Sequence, residues 1–380
     1  MLVGVPLMVT PSSIYLLNHS VGKPVDTAFK AINTQFEHWQ HQVEPWPLWL
    51  ESVDHFRSQL ARFMGGEASQ WCPQTNLSSA LTKLLFSIPR PSGCKNRLLL
   101  SEDDFPSMVF VAKQAESLGY QLTFIPKGLD LSLFANWEAW IKEDIALVFI
   151  SHVQSNTGRQ LPVNALCQRF KENGTYTIVD VAQSAGILPI DVMGWQADAV
   201  IGSCVKWLGG GPGAGYLWLN PQTTSDWLPK DVGWFSHDNP FEFDPHHFQY
   251  RDDALRFWGG TPSVWPYTVA AAAIAHWQQV GVERIRAHNL ELLALLRNAM
   301  PEQWWVSPVD AARCSGTAII HAGAVMDALV EALAQANVAF DRREYGLRLS
   351  PHWTNSKQQI ADLAQWIEQG VAKLGEQSKF

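Results

Sequence analysis

Short apolar runs punctuate the middle of the chain at residues 97–100, 122–125, 146–151, 177–179, 199–201 and 215–219. Their length and composition predict strands, and helical periodicity fills most of the intervals between them. That alternation predicts an α/β, doubly wound, mostly parallel sheet. The last run follows its predecessor so closely that a tight antiparallel return is expected. Ahead of the sheet, residues 26–42 carry Phe29, Ile32 and Phe36 at helical spacing, and residues 53–64 read as a second helix. Residues 1–24 read as an irregular arm. The punctuated run Gly259-Gly260-Thr261-Pro262-Ser263 precedes a long helical segment at 267–280, which sets the expected domain boundary. The large domain is then 25–265, and 266–380 is a linker helix with a small C-terminal α/β domain, helical near 282–297, 324–336 and 357–373.

Two of the expected strands lead to ionisable groups. Ile178 and Val179 run into Asp180, while Ala199, Val200 and Ile201 run toward Ser203 and Lys206. The carboxyl ends of parallel strands open on one crevice, so a strand, a crossover and a second strand can bring the acid and the amine around one ligand. An acid for a pyridinium nitrogen and an amine for an aldehyde point to pyridoxal 5′-phosphate, PLP. A lysine in that role needs an accessible neutral form, and Cys204, Val205 and Trp207 supply apolar surroundings. For the phosphate, Gln74, Thr75 and Asn76 open a helix whose unpaired backbone N–H groups suit an anion. Phe105-Pro106-Ser107 lies just beyond the 97–100 strand and can lay an aromatic ring on the cofactor.

Composition narrows the alternatives. The chain has 380 residues, 47% of them hydrophobic and 17% charged, enough for a large core without metal or disulfide support. A net charge of −8 and the lack of any Lys/Arg run argue against nucleic acid as a partner. Five widely spaced cysteines with no CxxC pair fit a reduced cytoplasm, and neither an export signal nor a membrane span is expected. GGGPGAG at 209–215 does not open a helix after a strand, so it is a weak dinucleotide signal, and no P-loop, HExxH or GxSxG occurs. No metal site is expected. The 18 tryptophans point to a Trp-rich core and subunit interface, or to an aromatic substrate pocket near 38–49.

VDVAQSAGILPIDV followed by GSCVKWLGGGPGAGYLWL resembles the fold-type I PLP enzymes of aminotransferase class V, which include cysteine desulfurases and kynureninases. FPS at 105–107, NTGRQLPV at 156–163, GWFSH at 233–237, GGTP at 259–262 and DRREYGLRLSP at 341–351 are most similar to kynureninases. The resemblance implies a mostly parallel seven-stranded sheet with one antiparallel strand, flanked by helices, and a homodimer with shared active sites. It implies that Lys206 condenses with PLP, Asp180 pairs with the pyridine nitrogen and Gln183 lies near the phenolic oxygen. Phe105 would stack on the ring. Gln74, Thr75, Ser107 and Ser203 would serve the cofactor, with Trp234 close by and Thr261 reaching from the neighbouring subunit. Arg348 would grip the substrate carboxylate, with His41 and Asn18 also facing a substrate that is an amino acid, aromatic in the kynureninase case.

Three residues depart from the kynureninase pattern: Met108 replaces an Asp, Val205 replaces a Tyr before the lysine, and Gln183 replaces a His. The desulfurase pattern also lacks its cysteine, because VAFDRREYGLRLSP contains none. The expected activity is a kynureninase-like hydrolase that cleaves Cβ–Cγ of a β-carbonyl amino acid. A class V aminotransferase or β-eliminating lyase is the alternative, and a non-catalytic homologue the third.

Overall fold

The computed structural model describes residues 13–89 and 93–377. The first half of the expected arm, residues 1–12, lies outside the described residues. In chain order the elements are β1 (Ile14–Tyr15), α1 (Asp26–His41), α2 (Trp46–Met64), β2 (Trp71–Gln74), α3 (Leu77–Leu85), β3 (Arg97–Ser101), α4 (Pro106–Gln114), β4 (Gln121–Ile125), β5 (Ile145–Ser151), α5 (Val163–Glu172), β6 (Tyr176–Asp180), α6 (Val192–Trp195), β7 (Ala199–Ser203) and β8 (Gly215–Leu219). They continue with α7 (Trp265–Val280), α8 (Val282–Asn298), β9 (Ala318–Ile320), α9 (Met326–Gln335), β10 (Val338–Ala339), β11 (Asp341–Arg343), β12 (Gly346–Leu349) and α10 (Lys357–Gln377).

Seven strands form the main sheet in the order β2-β8-β7-β6-β5-β3-β4. β8 runs antiparallel to both its neighbours, and the pairs among β3 to β7 are parallel. β5, β7 and β8 are buried along their whole length, which is why their sequences read as unbroken apolar runs rather than alternations. The residue pattern did not single out β2. Its Pro73 weakens a strand reading, but β2 lies at the sheet edge, where a missing N–H is tolerated. α2 begins at Trp46 rather than near 53, because Pro47 sits in the first turn and needs no helical acceptor.

The glycine run of 209–215 is the β7–β8 turn, with Gly209, Gly211 and Gly213 at positive φ. Its role is the antiparallel return.

Two cores divide the molecule, and the division differs from the expected boundary at 265. α7 belongs to the large core through Tyr267, Ala270, Ile274 and Trp277, as does Ile285 on α8. The small core begins with Leu292 on the same helix, so one continuous helix spans both. Apolar residues continue past Gly259–Ser263 on a face that packs against α1 and α2, which a boundary read from loop composition misses. Leu16 of the arm also joins the small core. There β1 pairs with β10, and β11, β12 and β9 form a second small sheet. Among the described residues no helix is long and apolar enough to cross a membrane.

Candidate active site

A cleft of about 300 Å³ opens at the carboxyl ends of the central strands. Six residues singled out from the sequence meet there: Phe105, Ser107, Asp180, Gln183, Ser203 and Lys206. The sheet register explains the convergence, since Ser151 at the end of β5 pairs with Asp180 at the end of β6, and Asp180 pairs with Ile201 on β7. Lys206 follows β7 in the turn where the chain reverses, and Gly209 N–H donates to its carbonyl at 2.8 Å.

Electrostatics prepare the acid and the amine for a bound ring. Burial lowers the Lys206 pKa to about 8, with Arg348 and Arg343 acting in the same direction and Asp180 opposing. Burial raises that of Asp180, while Lys206 and the Ala182 N–H, at 2.7 Å, act against the rise. The Asp180 carboxylate accepts no other hydrogen bond among the described residues, so its second oxygen remains for a ligand. Phe105 caps α4 in extended conformation and is 39% exposed, so its ring face is open to the cleft. Lys206 Nζ lies 5.8 Å from the centre of that ring.

Gln74 and Thr75, expected at a phosphate, do not line this cleft. Gln74 and Thr75 line a neighbouring cavity with Lys83 and Thr261. The Gln74 amide is committed to the Phe257 carbonyl at 3.1 Å because β2 carries it to the far side of the chain. Asn76, Leu77 and Ser78 reach the cleft instead. Asn76 caps α3 by accepting from Ser79 N–H, and the N–H groups of Leu77 and Ser78 precede any helical acceptor, leaving two donors and the positive helix end for an anion.

Four other expected residues stand apart from the cleft. Thr261 is exposed, and Trp234 packs in an aromatic cluster with Trp46, Phe235 and Phe241. His41 is exposed at the end of α1, and Asn18 is buried with its amide donating to the Ser350 carbonyl.

Arg348 does not line the cleft. It is 1% exposed, and strand register places it directly opposite Asp341, whose carboxylate takes its Nε and Nη2 while the Ser155 carbonyl takes Nη1. Arg343 lines the cleft instead.

Two further acids and bases had no sequence reading. His19, from the arm, lines the cleft and bonds Asp341 through Nε2 at 2.9 Å; burial lowers its pKa to about 4, so it is neutral near pH 7. Asp104 accepts from Ser101 N–H and Ser151 Oγ, and burial raises its pKa to about 7. Its position three residues beyond the end of β3 and directly before Phe105 was a usable signal. Away from the cleft, donor atoms of His237, Glu242 and His247 lie within 4.8 Å of one another, a grouping accounted for by hydrogen bonds of 2.7 and 3.0 Å from the two imidazoles to the Glu242 carboxylate.

The chain belongs to the aminotransferase class-V family, whose model matches residues 12–347. It is 25% identical to the uncharacterized aminotransferase YcbU of Bacillus subtilis, over 87% of each chain. It is 27% identical to the kynureninase of Pseudomonas fluorescens, over 87% of this chain and 82% of that one. The apo cysteine desulfurase of Thermococcus onnurineus NA1 shares the fold, with a TM-score of 0.84 at 19% identity and 96% coverage of both chains. The protein is a PLP-dependent enzyme. The residues present fit that cofactor: a buried carboxylate for the ring nitrogen, a desolvated amine for the aldehyde, an open aromatic face, and a helix N-terminus with Ser203 for the phosphate.

Proposed function

We propose that this enzyme is a kynureninase-like hydrolase that cleaves Cβ–Cγ of a β-carbonyl amino acid and releases alanine. The observation that carries the reading is the Lys206–Asp180 pair beneath Phe105, in a chain whose relatives over most of its length include kynureninases. When bound, PLP supplies the electron sink that makes a carbanion at Cα accessible. Asp180 would hold the pyridine nitrogen protonated through a charge-assisted hydrogen bond. Lys206, its pKa lowered to about 8 by burial, would be the residue that takes and returns a proton at the substrate Cα. Among the described residues no cysteine lines the cleft, which argues against sulfur transfer.

A second reading, a class V aminotransferase, is favoured by Met108 and Val205, which make the cleft apolar where the kynureninase pattern has an acid and a phenol. Incubation with L-kynurenine or 3-hydroxykynurenine distinguishes the two. Fluorescent anthranilate and alanine are expected; conversion of the cofactor to its amine form with release of a keto acid would overturn the hydrolase.

We further infer a homodimer in which Thr261 reaches the neighbouring cleft. Thr261 and Pro262 border an apolar cavity of about 790 Å³ walled by Phe36, Trp39, Trp49 and Trp265, and Phe36 and Trp39 are each 43% exposed. Sedimentation should give a dimer, and Trp39→Glu should shift it toward monomer.

A further inference from the structure

We propose that the loop 237–250 binds a divalent transition-metal ion of the zinc class through His237, Glu242 and His247, and that the ion fastens the loop to the aromatic cluster around Trp234. The site lies away from the cleft and stands apart from the reaction performed there.

The three side chains come from one segment, and their donor atoms lie within 4.8 Å of one another. Glu242 Oε2 is 2.7 Å from His237 Nε2 and 3.0 Å from His247 Nδ1. Two imidazole nitrogens and a carboxylate suit zinc or a neighbouring transition ion, whereas magnesium and calcium take oxygen donors. Zinc holds such donors at about 2.0–2.2 Å, which sets them about 3.3 Å apart around a tetrahedron. Glu242 and His247 are exposed, so each has room for the shift of about 1 Å that this geometry asks of them.

The surroundings of His237 prepare its Nε2 as a ligand. His237 is buried, and its Nδ1 faces the Gln249 carbonyl at 2.8 Å and the Asp238 carboxylate at 3.1 Å. Those two acceptors favour a hydrogen on Nδ1, which leaves the Nε2 lone pair for a cation, the same kind of support that orients metal-bound histidines. The Gln249 N–H, at 3.1 Å, serves the other tautomer, in which Nε2–H donates to Glu242. The ring is thus partnered in both states, and a cation displaces only the hydrogen bonds to Glu242. The loop also has use for a fastener, because the chain is irregular from 238 to 249, between the bridged residues His237 and Tyr250. Glu242 stands between Phe241 and Phe243, whose rings lie 5.6 and 6.0 Å from that of Trp234. Phe241 is 42% and Phe243 72% exposed, and Phe243 sits at φ 57°, a left-handed conformation that strains a bulky residue. A cation on Glu242 fixes the stretch of backbone that carries both rings.

The test uses holoenzyme dialysed against a chelator and titrated calorimetrically with Zn²⁺ alone. One ion per chain is expected, and His247→Asn and Glu242→Gln should each weaken binding by about tenfold or more while leaving the cofactor spectrum unchanged. His246→Asn, which removes the neighbouring exposed imidazole, should bind as wild type does. Zn²⁺ should also slow proteolytic cutting between residues 238 and 249 in wild type and not in His247→Asn. No binding, or binding that His247→Asn and Glu242→Gln retain at full strength, overturns the site. Loss in His246→Asn in place of His247→Asn overturns the ligand set, and binding that leaves the loop as open to protease as before overturns the fastening role.

Discussion

The floor and the wall of the cleft are built differently. Strand ends of the main sheet supply the floor, where Asp180, Ser203 and Lys206 are held by parallel ladders and by backbone bonds such as Ala182 N–H to Asp180. The wall comes from the arm and the small domain, where His19, Asp341, Arg348 and Arg343 form a chain of side-chain contacts. Each floor group is fixed by its own backbone, whereas the wall groups are fixed by one another. Floor substitutions should therefore affect chemistry with little change in folding, and wall substitutions should spread.

The largest expected effect sharpens the first half of this contrast. Lys206→Ala should lower turnover by about a thousandfold or more and abolish the visible chromophore, with little change in melting temperature. A variant that keeps its colour and activity would remove Lys206 from the chemistry. Asp341→Ala tests the second half: it leaves Arg348 buried without its counter-charge, at a cost of about 3–5 kcal/mol. Denaturant unfolding checks this, and an unshifted midpoint would mean that the wall is not mutually supported.

Asp180→Asn should weaken cofactor retention by about ten- to a hundredfold, from loss of a charge-assisted hydrogen bond of about 1.5–3 kcal/mol. Dialysis followed by PLP titration measures it. The smallest effect concerns pH. Only the neutral amine condenses with an aldehyde, so the rate of PLP capture by apoenzyme should rise with pH and level off above an inflection near 8, well below the ordinary lysine value of 10.5. Because Asp180 raises the Lys206 pKa, Asp180→Asn should move that inflection lower. An inflection near the ordinary lysine value would mean the amine is solvated.

The same contrast explains what was legible in the sequence. Asp180, Lys206 and Phe105 could be read because apolar runs mark strand ends, and strand ends in a parallel sheet share a crevice. Asp104 obeyed that rule too, but was overlooked beside the aromatic residue that follows it. The helix start at 77 was legible, but of the three residues read as opening it, Gln74, Thr75 and Asn76, only Asn76 lines the cleft. In an extended segment successive side chains point to opposite sides, so position along the chain alone does not say whether Gln74 or Asn76 enters the cleft. For the wall, no local pattern was available. The pairing of Asp341 with Arg348 depends on hairpin register, and the approach of His19 on how the arm docks some three hundred residues from its partners. The motif around Arg348 marked the right neighbourhood, and hairpin register decides that Arg343 rather than Arg348 lines the cleft.

The arm ties these two halves together at Gly22. Its N–H donates to the Val205 carbonyl at 2.9 Å, and a Cβ there would lie 1.9 Å from the Lys206 carbonyl oxygen. A few residues earlier the same strand of chain is stitched to the small domain through β1 and β10. The arm is thus a short tether between the small domain and the backbone of Lys206. A displacement of the small domain would load that anchor, so the arm couples the position of the small domain to the backbone of Lys206.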